Sequence, residues 1–212
     1  MSDYLKPVVL LLYPELQDQA AIALGRAFIN DPTFRAIVPR PMDEAARAAA
    51  LSELFRAMFV IERRTGQPTF GVVHERKVVA AAVIEGTGGA SMVDTVLTGL
   101  GQMPRLIRAI GVDGIRRALT IFRVLSQSHP REPHLYLQAL GVDPEFQRRH
   151  LGSALLEYLR EQAQTRPDVA GVYLETATEA NVAYYSGKGY QVLGEIYPLG
   201  VRMWRMFQRA RD

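Results

Sequence analysis

The residues from His134 to Leu159, HLYLQALGVDPEFQRRHLGSALLEYL, limit what this chain can fold into more than any other stretch. Tyr136, Gln138 and Leu140 alternate with Leu135, Leu137 and Ala139, and β-branched Val142 closes the run, which is the pattern of a strand. Asp143-Pro144 ends it, because Pro144 has no N–H for a ladder and its ring disfavours the helical region for Asp143. After the basic link Gln147-Arg148-Arg149-His150-Leu151-Gly152 a helix begins, with Leu151, Ala154, Leu155, Tyr158 and Leu159 on one face. A strand feeding a basic turn at a helix N-terminus suits a phosphate. The first-turn N–H groups have no partner inside the helix, and the macrodipole favours an anion there.

The rest of the chain alternates elements. Pro7 to Leu12 reads as a short buried strand closed by Tyr13-Pro14, and Glu15 to Phe28 as a helix stopped by Asn30-Asp31-Pro32. A second helix follows Pro41, acidic at Asp43 and Glu44, with Leu51, Leu54, Met58 and Ile61 toward the core. Thr69 to His74 and Lys77 to Ile84 form an expected hairpin about Glu75-Arg76, and Gly86-Thr87-Gly88-Gly89-Ala90 is the one flexible-looking segment. Residues 91–128 are helical, with a start at Pro104 and an interruption from Gly111 to Gly114. One side is apolar and the other carries Arg105, Arg108, Arg116, Arg117 and Arg123. Beyond the motif helix come a strand from Gly171 to Ala177 and a short helix from Asn181 to Lys188 ended by Gly189. Tyr190 to Ile196 and Arg202 to Phe207 are closing strands. The order defines a mixed α/β chain with a parallel crossover where the motif helix joins two strands. Its 212 residues suit one domain over 1–212.

Composition removes several functions. With no cysteine there is no disulfide scaffold, thiolate metal site or thiol nucleophile, which fits a reducing cytoplasm. No metal site is expected, since His74 and His129 have no His or Cys at ligand spacing. PVVLLLY is too short to span a bilayer. A net charge of +3 without a long basic run points away from nucleic acid and membranes as partners. The arginine-faced helices at 91–125 would by themselves serve a surface binder, but such a pattern also describes a helical hairpin covering the core.

The strand, the Asp-Pro break and the Gln-x-x-x-x-Gly link resemble motif A of the GCN5-related N-acetyltransferase (GNAT) family, Gln/Arg-x-x-Gly-x-Gly/Ala. Gln147 takes its first position and Gly152 its last, and His150 stands where the first glycine belongs. A second register, Arg149-x-x-Gly152-x-Ala154, fits the letters but leaves the link a turn too long. Tyr173-Leu174-Glu175-Thr176-Ala177, followed by Asn181-Val182-Ala183-Tyr184-Tyr185-Ser186-Gly187-Lys188-Gly189-Tyr190, resembles motif B. With Met203-Trp204-Arg205-Met206, it looks most like the branch containing puromycin N-acetyltransferase. The resemblance covers about residues 131–207 and thins upstream.

The resemblance implies a GNAT-type sheet whose central strands splay after the motif strand, with helices on its flanks and a helical insertion before that strand. It implies acetyl-coenzyme A as co-substrate, an amine acceptor and direct transfer in a ternary complex. Leu140, Val142, Gln147, Arg148, Arg149, His150, Leu151, Gly152, Ser153, Asn181 and Tyr185 would line the coenzyme. Tyr185 would be the general acid for the departing thiolate, or else a core aromatic. Tyr184 faces elsewhere, so at most one of the two should reach the thioester. Asn181 either bonds the coenzyme arm or caps its helix. Glu175, His134 and Glu85 are candidate bases, Glu175 first because its strand borders the gap. A backbone N–H near Leu140 or Val142 would meet the developing oxyanion. The glycine replaced by His150 leaves a second reading, a coenzyme-binding sensor without turnover. The least matched segments, Phe28 to Arg35 and residues 91–128, would shape the acceptor pocket, and the helices of 91–128 would form a lid, a homodimer contact or both.

Overall fold

The computed structural model describes residues 7–86 and 92–211, with the side chains of 92–97 left aside. In chain order the elements are β1 (Val9–Leu11), α1 (Pro14–Ala27), α2 (Pro32–Ile37), α3 (Glu44–Arg64), β2 (Thr69–His74), β3 (Lys77–Glu85), α4 (Met92–Gln127), β4 (His134–Val142), α5 (Leu151–Thr165), β5 (Gly171–Thr176), α6 (Glu179–Ser186), β6 (Gln191–Ile196) and β7 (Met203–Arg209). The strands make one sheet in the order β1-β2-β3-β4-β5-β7-β6. Only β4 and β5 run parallel, joined by the crossover through α5. This is the mixed, splayed sheet with flanking helices and a helical insertion that the sequence led us to expect.

The core lies on both faces of the sheet. Leu151, Leu155, Leu156 and Leu159 of α5 pack on Leu135, Leu137, Val172 and Leu174. On the opposite face, Leu24 of α1 and Phe55 and Phe59 of α3 cover Ala81, Val83 and Ala139. α4 adds an outer layer, burying Leu106, Ile110, Ile121 and Leu125 against α2 and α3. Two of its arginines serve that layer: Arg105 pairs with Glu53, and Arg117 with Asp113 at 2.8 Å.

Four expectations are corrected. The first strand is an edge, not a buried run: it pairs with β2 alone, and Val8, Leu10 and Leu11 are exposed. Helix α2 was not expected, yet the triplet read only as a stop also starts it. Asp31 accepts hydrogen bonds from the N–H groups of Thr33 (2.9 Å) and Phe34 (3.2 Å), and Pro32 takes the first helical position. Pro104 lies inside the first segment of α4 instead of starting it; the break comes at Gly111 (φ 75°, ψ 169°), a conformation open to glycine. Asn181 does not cap α6, because Thr178 does. Of the flexible-looking segment, residues 87–90 lie outside the described residues. The β2–β3 hairpin turns as expected at Glu75 and Arg76, both at positive φ (47° and 66°).

Among the described residues no helix is long and apolar enough to cross a membrane, and no group of three or more acidic, His or Cys residues is placed to hold a metal.

β4 packs closely under α1. A Cβ added at Gly141 would come within 2.7 Å of Leu24 Cδ2 and 2.9 Å of Ala27 Cβ. Gly141→Ala is expected to destabilise the protein by about 1–3 kcal/mol through overpacking, read as a lower urea midpoint at unchanged slope.

Candidate active site

β4 and β5 pair for only four residues each, from His134↔Gly171 to Leu137↔Leu174. Beyond that point Glu175 and Thr176 stay with β7, opposite Arg205 and Trp204. On its other side β4 carries a bulge: Ala139 faces Val83 and Leu137 faces Ile84, so Gln138 is the extra residue. The N–H of Asp143 donates to the Val79 carbonyl at 2.8 Å. By the alternation of an antiparallel ladder, Ala139 and Gly141 then also turn their amides toward β3. Leu140 and Val142 turn theirs the other way, into the gap that β5 has left. A space of about 90 Å³ fills the gap, lined by Asp31, Gln138, Leu140, Glu175, Asn181 and Tyr185 among others.

The turn after β4 is held from beneath. Asp143 accepts from the N–H of Glu145 at 3.0 Å. Arg26 of α1 pairs with Asp143 at 3.1 Å and with Glu145 at 2.6 Å. Gln147 folds back, its side-chain amide donating to the Val142 carbonyl at 3.3 Å. Arg148 (φ 61°) and His150 (φ 60°, ψ 13°) are both left-handed, and His150, the N-cap of α5, makes no side-chain cap. Position 150 thus has the conformation that glycine adopts without strain, at a cost to histidine of about 1–2 kcal/mol. Arg148 and Arg149 are exposed, and the Arg149 guanidinium lies 5.0 Å from the Phe146 ring centre. The Leu151 side chain is buried in the core, so only its backbone belongs to the turn. At Gly152 a Cβ would stand 3.4 Å from Tyr184 Oη and 3.5 Å from Leu140 Cδ2, which places the turn against the lip of the gap.

The two tyrosines of α6 diverge. Tyr185 is buried, borders the gap, and is held above the ordinary phenol range by burial and then by the neighbouring Tyr184 and Asp31. Tyr184 is exposed and leans on α5, with Oη 3.1 Å from Ser153 Oγ. Ser153 is thereby brought beside the turn but occupied by that contact. Asn181, free of the cap role, is exposed at the gap.

Among the candidate bases, Glu175 borders the gap. Burial raises its carboxyl to about 7 against the opposing effects of the Tyr173 and Tyr136 hydroxyls and Arg205. His134 is engaged elsewhere: Nδ1 lies 2.7 Å from the Glu132 carbonyl and Nε2 3.1 Å from His129 Nδ1. Glu85 closes β3 beside a partner that sequence reading missed. The bulged Gln138 donates through one amide nitrogen to Glu62 Oε1 (2.9 Å) and to Glu85 Oε2 (3.3 Å). Burial, with repulsion from Glu85, raises Glu62 to about 7, and burial raises Glu85 too. Glu62 was detectable, since it continues the buried stripe Leu51, Phe55, Met58 at helical spacing. The acid pair borders a cavity of about 570 Å³ between α3 and α4, otherwise walled mainly by Leu54, Met58, Ile61, Met103, Leu106 and Phe122.

Residues 32–190 match the family model described as the acetyltransferase (GNAT) family. The chain belongs to that family. Its fold is similar to an acetyltransferase from Corynebacterium glutamicum, described as histone acetyltransferase HPA2 and related acetyltransferase (22% identity, 97% of each chain, TM-score 0.69). It is also similar to a polyamine N-acetyltransferase of Drosophila melanogaster that forms N-acetylagmatine (17% identity, 94% of this chain and 97% of that one, TM-score 0.59). A third similar structure is the GNAT-like decarboxylase GphF in complex with isobutyryl-CoA (18% identity, 96% of this chain and all of that one, TM-score 0.55).

Glu62 yields a pH prediction. Its native carboxyl holds a proton to about 7, whereas the unfolded one loses it near 4.5. The native state therefore binds more protons between those values, and stability falls as pH rises through that window. Glu62→Gln keeps the acceptor for Gln138 and removes the ionisation. The variant should match the wild type near pH 4.5 and exceed it by about 2–3 kcal/mol above pH 8, measured by urea unfolding across pH.

Proposed function

We propose that this protein transfers an acetyl group from acetyl-coenzyme A to the amine of a small molecule, by direct attack with both substrates bound. The observation that carries the reading is the gap between β4 and β5, bordered by Tyr185 and Glu175 and opening beside the left-handed turn at the start of α5. The residues present fit the coenzyme. The turn offers the first-turn amides of Leu151, Gly152 and Ser153 with Arg148 and Arg149 exposed nearby, an arrangement suited to a pyrophosphate. Gln147 and His150 shape that turn through the Val142 contact and the left-handed backbone. Leu140 and Asn181 border the gap, where the pantetheine arm would lie, and Val142 stands at its lip beside Gly152.

Acetyl-coenzyme A supplies an acyl carbon activated as a thioester. Glu175, ionised above about 7, takes the proton that the amine nitrogen loses as it bonds to that carbon. A backbone N–H of Leu140 or Val142 meets the charge developing on the carbonyl oxygen. The Tyr185 hydroxyl gives its proton to the departing sulfur, and burial keeps it protonated until then. No covalent acyl-enzyme is required, in keeping with a chain that lacks cysteine. The "LET", Asn-x-x-x-Tyr and late Trp-before-Met phrases support a free small-molecule acceptor, as in the puromycin N-acetyltransferase-like branch. Release of free thiol from acetyl-coenzyme A, stimulated by amines, tests the reading. Saturable coenzyme binding without turnover over a broad amine panel would favour the sensor instead.

Millimolar acetyl-coenzyme A is expected to raise the melting temperature, because a ligand bound only by the native state adds RT ln(1 + [L]/Kd). His150→Gly should stabilise the free protein by about 1 kcal/mol by relieving the left-handed turn, without weakening the coenzyme's thermal shift. A weaker shift would mean that the imidazole touches the ligand.

Tyr185→Phe should lower kcat by about 10²-fold, the low end for a general acid because a thiolate departs fairly well unaided. Coenzyme KM should stay within about threefold, since the ring remains to pack on Tyr190 and the sheet. Tyr184→Phe removes the Ser153 contact instead and should act on coenzyme KM more than on kcat.

A further inference from the structure

The cavity between α3 and α4 adjoins the gap. Met58, Phe122 and Gln138 border both spaces. The two spaces are therefore neighbours, and they meet at the Gln138 end, where Glu62 and Glu85 share one amide nitrogen. Away from that end the wall is hydrophobic, built by Leu54, Ile61, Met103, Leu106, Ile110 and Leu119 in particular. At about 570 Å³ the cavity is of a size that holds a small organic molecule.

We infer that the acceptor is a monoamine with one ammonium end and an extended apolar body, an alkylamine or arylalkylamine. Its ammonium is received by Glu62 and Glu85, its body lies in the α3–α4 cavity, and the nitrogen then passes beside Gln138 into the gap, where Glu175 takes its proton. The inference rests on the transferase reading above and narrows its acceptor. Charge decides the polarity of the occupant. Two carboxylates joined through one amide donor repel each other, and a cation between them offsets both that repulsion and their desolvation. A long acyl chain carried by the coenzyme would fill the same apolar wall but would do nothing for the acid pair. A polyamine or agmatine would satisfy the pair with one end and then press a second charge against Leu106 and Met103, where it has no partner. The bulge gives the arrangement its position. It sets the Gln138 side chain toward the two carboxylates at the point where β4 and β5 part, so an ammonium held there stands at the entrance to the gap.

The test uses the full chain in two readouts. In the first, thiol release from acetyl-coenzyme A is followed with butylamine, hexylamine, octylamine and phenethylamine, and with agmatine and spermidine. Octanoyl-coenzyme A with butylamine serves as the long-donor control. The expected result is a kcat/KM that rises about fourfold for each added methylene of the amine, with agmatine and spermidine the poorest of the set. Glu62→Gln and Glu85→Gln should each raise the octylamine KM about tenfold or more while leaving the acetyl-coenzyme A KM unchanged. Best rates with agmatine or spermidine would overturn the inference. So would rates that rise with acyl length on the donor and ignore the amine. In the second readout, melting temperature is measured with octylamine in the presence of coenzyme A. A shift that is lost in both Glu→Gln variants supports the site even if no amine turns over, in which case the transferase reading fails alone. No octylamine shift in the wild type overturns the site whether or not turnover is seen.

Discussion

Parallel pairing between β4 and β5 stops after Leu137 and Leu174, and what lies beyond depends on that stop. Past it the backbone of β4 presents the amides of Leu140 and Val142 to open space. β5 meanwhile remains paired to β7, so the sheet keeps its hydrogen bonds on the outer sides of the split. Unpaired backbone inside a protein is costly unless something else bonds to it. Here the same opening is bordered by Tyr185 from α6, Glu175 from β5 and Asp31 from the start of α2. The gap thus gathers polar side chains from three separate elements around backbone amides that β5 leaves unpaired.

The bulge at Gln138 links this opening to the acid pair. An extra residue in β4 lets Gln138 hold Glu62 on α3 and Glu85 on β3 at once, and all three border the cavity beneath α4. Two carboxylates on different elements, both pushed toward neutrality by burial, are kept together by one amide. The turn between β4 and α5 is secured in another way. Arg26, from α1, pairs with Asp143 and Glu145 and fixes the loop whose left-handed residues Arg148 and His150 set the direction of α5. The turn before α5 and the acid pair are thus braced against different helices, α1 for one and α3 for the other. Changes in the cavity wall can accordingly leave the turn undisturbed.

α4 walls the cavity opposite α3. It buries Leu106, Ile110, Ile121 and Leu125 against α2 and α3, while Leu100, Ile107, Leu119 and Phe122 remain exposed. Its place over the cavity, not its arginines, ties it to the site. Arg105 and Arg117 are taken up by Glu53 and Asp113.

Periodicity and punctuation were sufficient to read the strand His134–Val142, the Asp-Pro break, helix α5 and the hairpin, because each is specified within about a dozen neighbouring residues. That His150 occupies a glycine position was legible through the motif A resemblance, counted from that break, and its left-handed backbone is the structural reason. The strand at Val9–Leu11 was misplaced as buried, since an apolar run reads alike at the edge of a sheet and at its centre, and only pairing tells them apart. Helix α2 was overlooked although its cap, Asp31-Pro32, is local. Tertiary structure alone decided which carboxylates meet. Glu62, Glu85 and Gln138 lie far apart in the chain, and no local pattern records their contact. It also decided that Tyr185 turns into the gap and Tyr184 onto α5, because helix phase fixes only the angle between two neighbours, while the packing of α6 on the sheet fixes which one is buried.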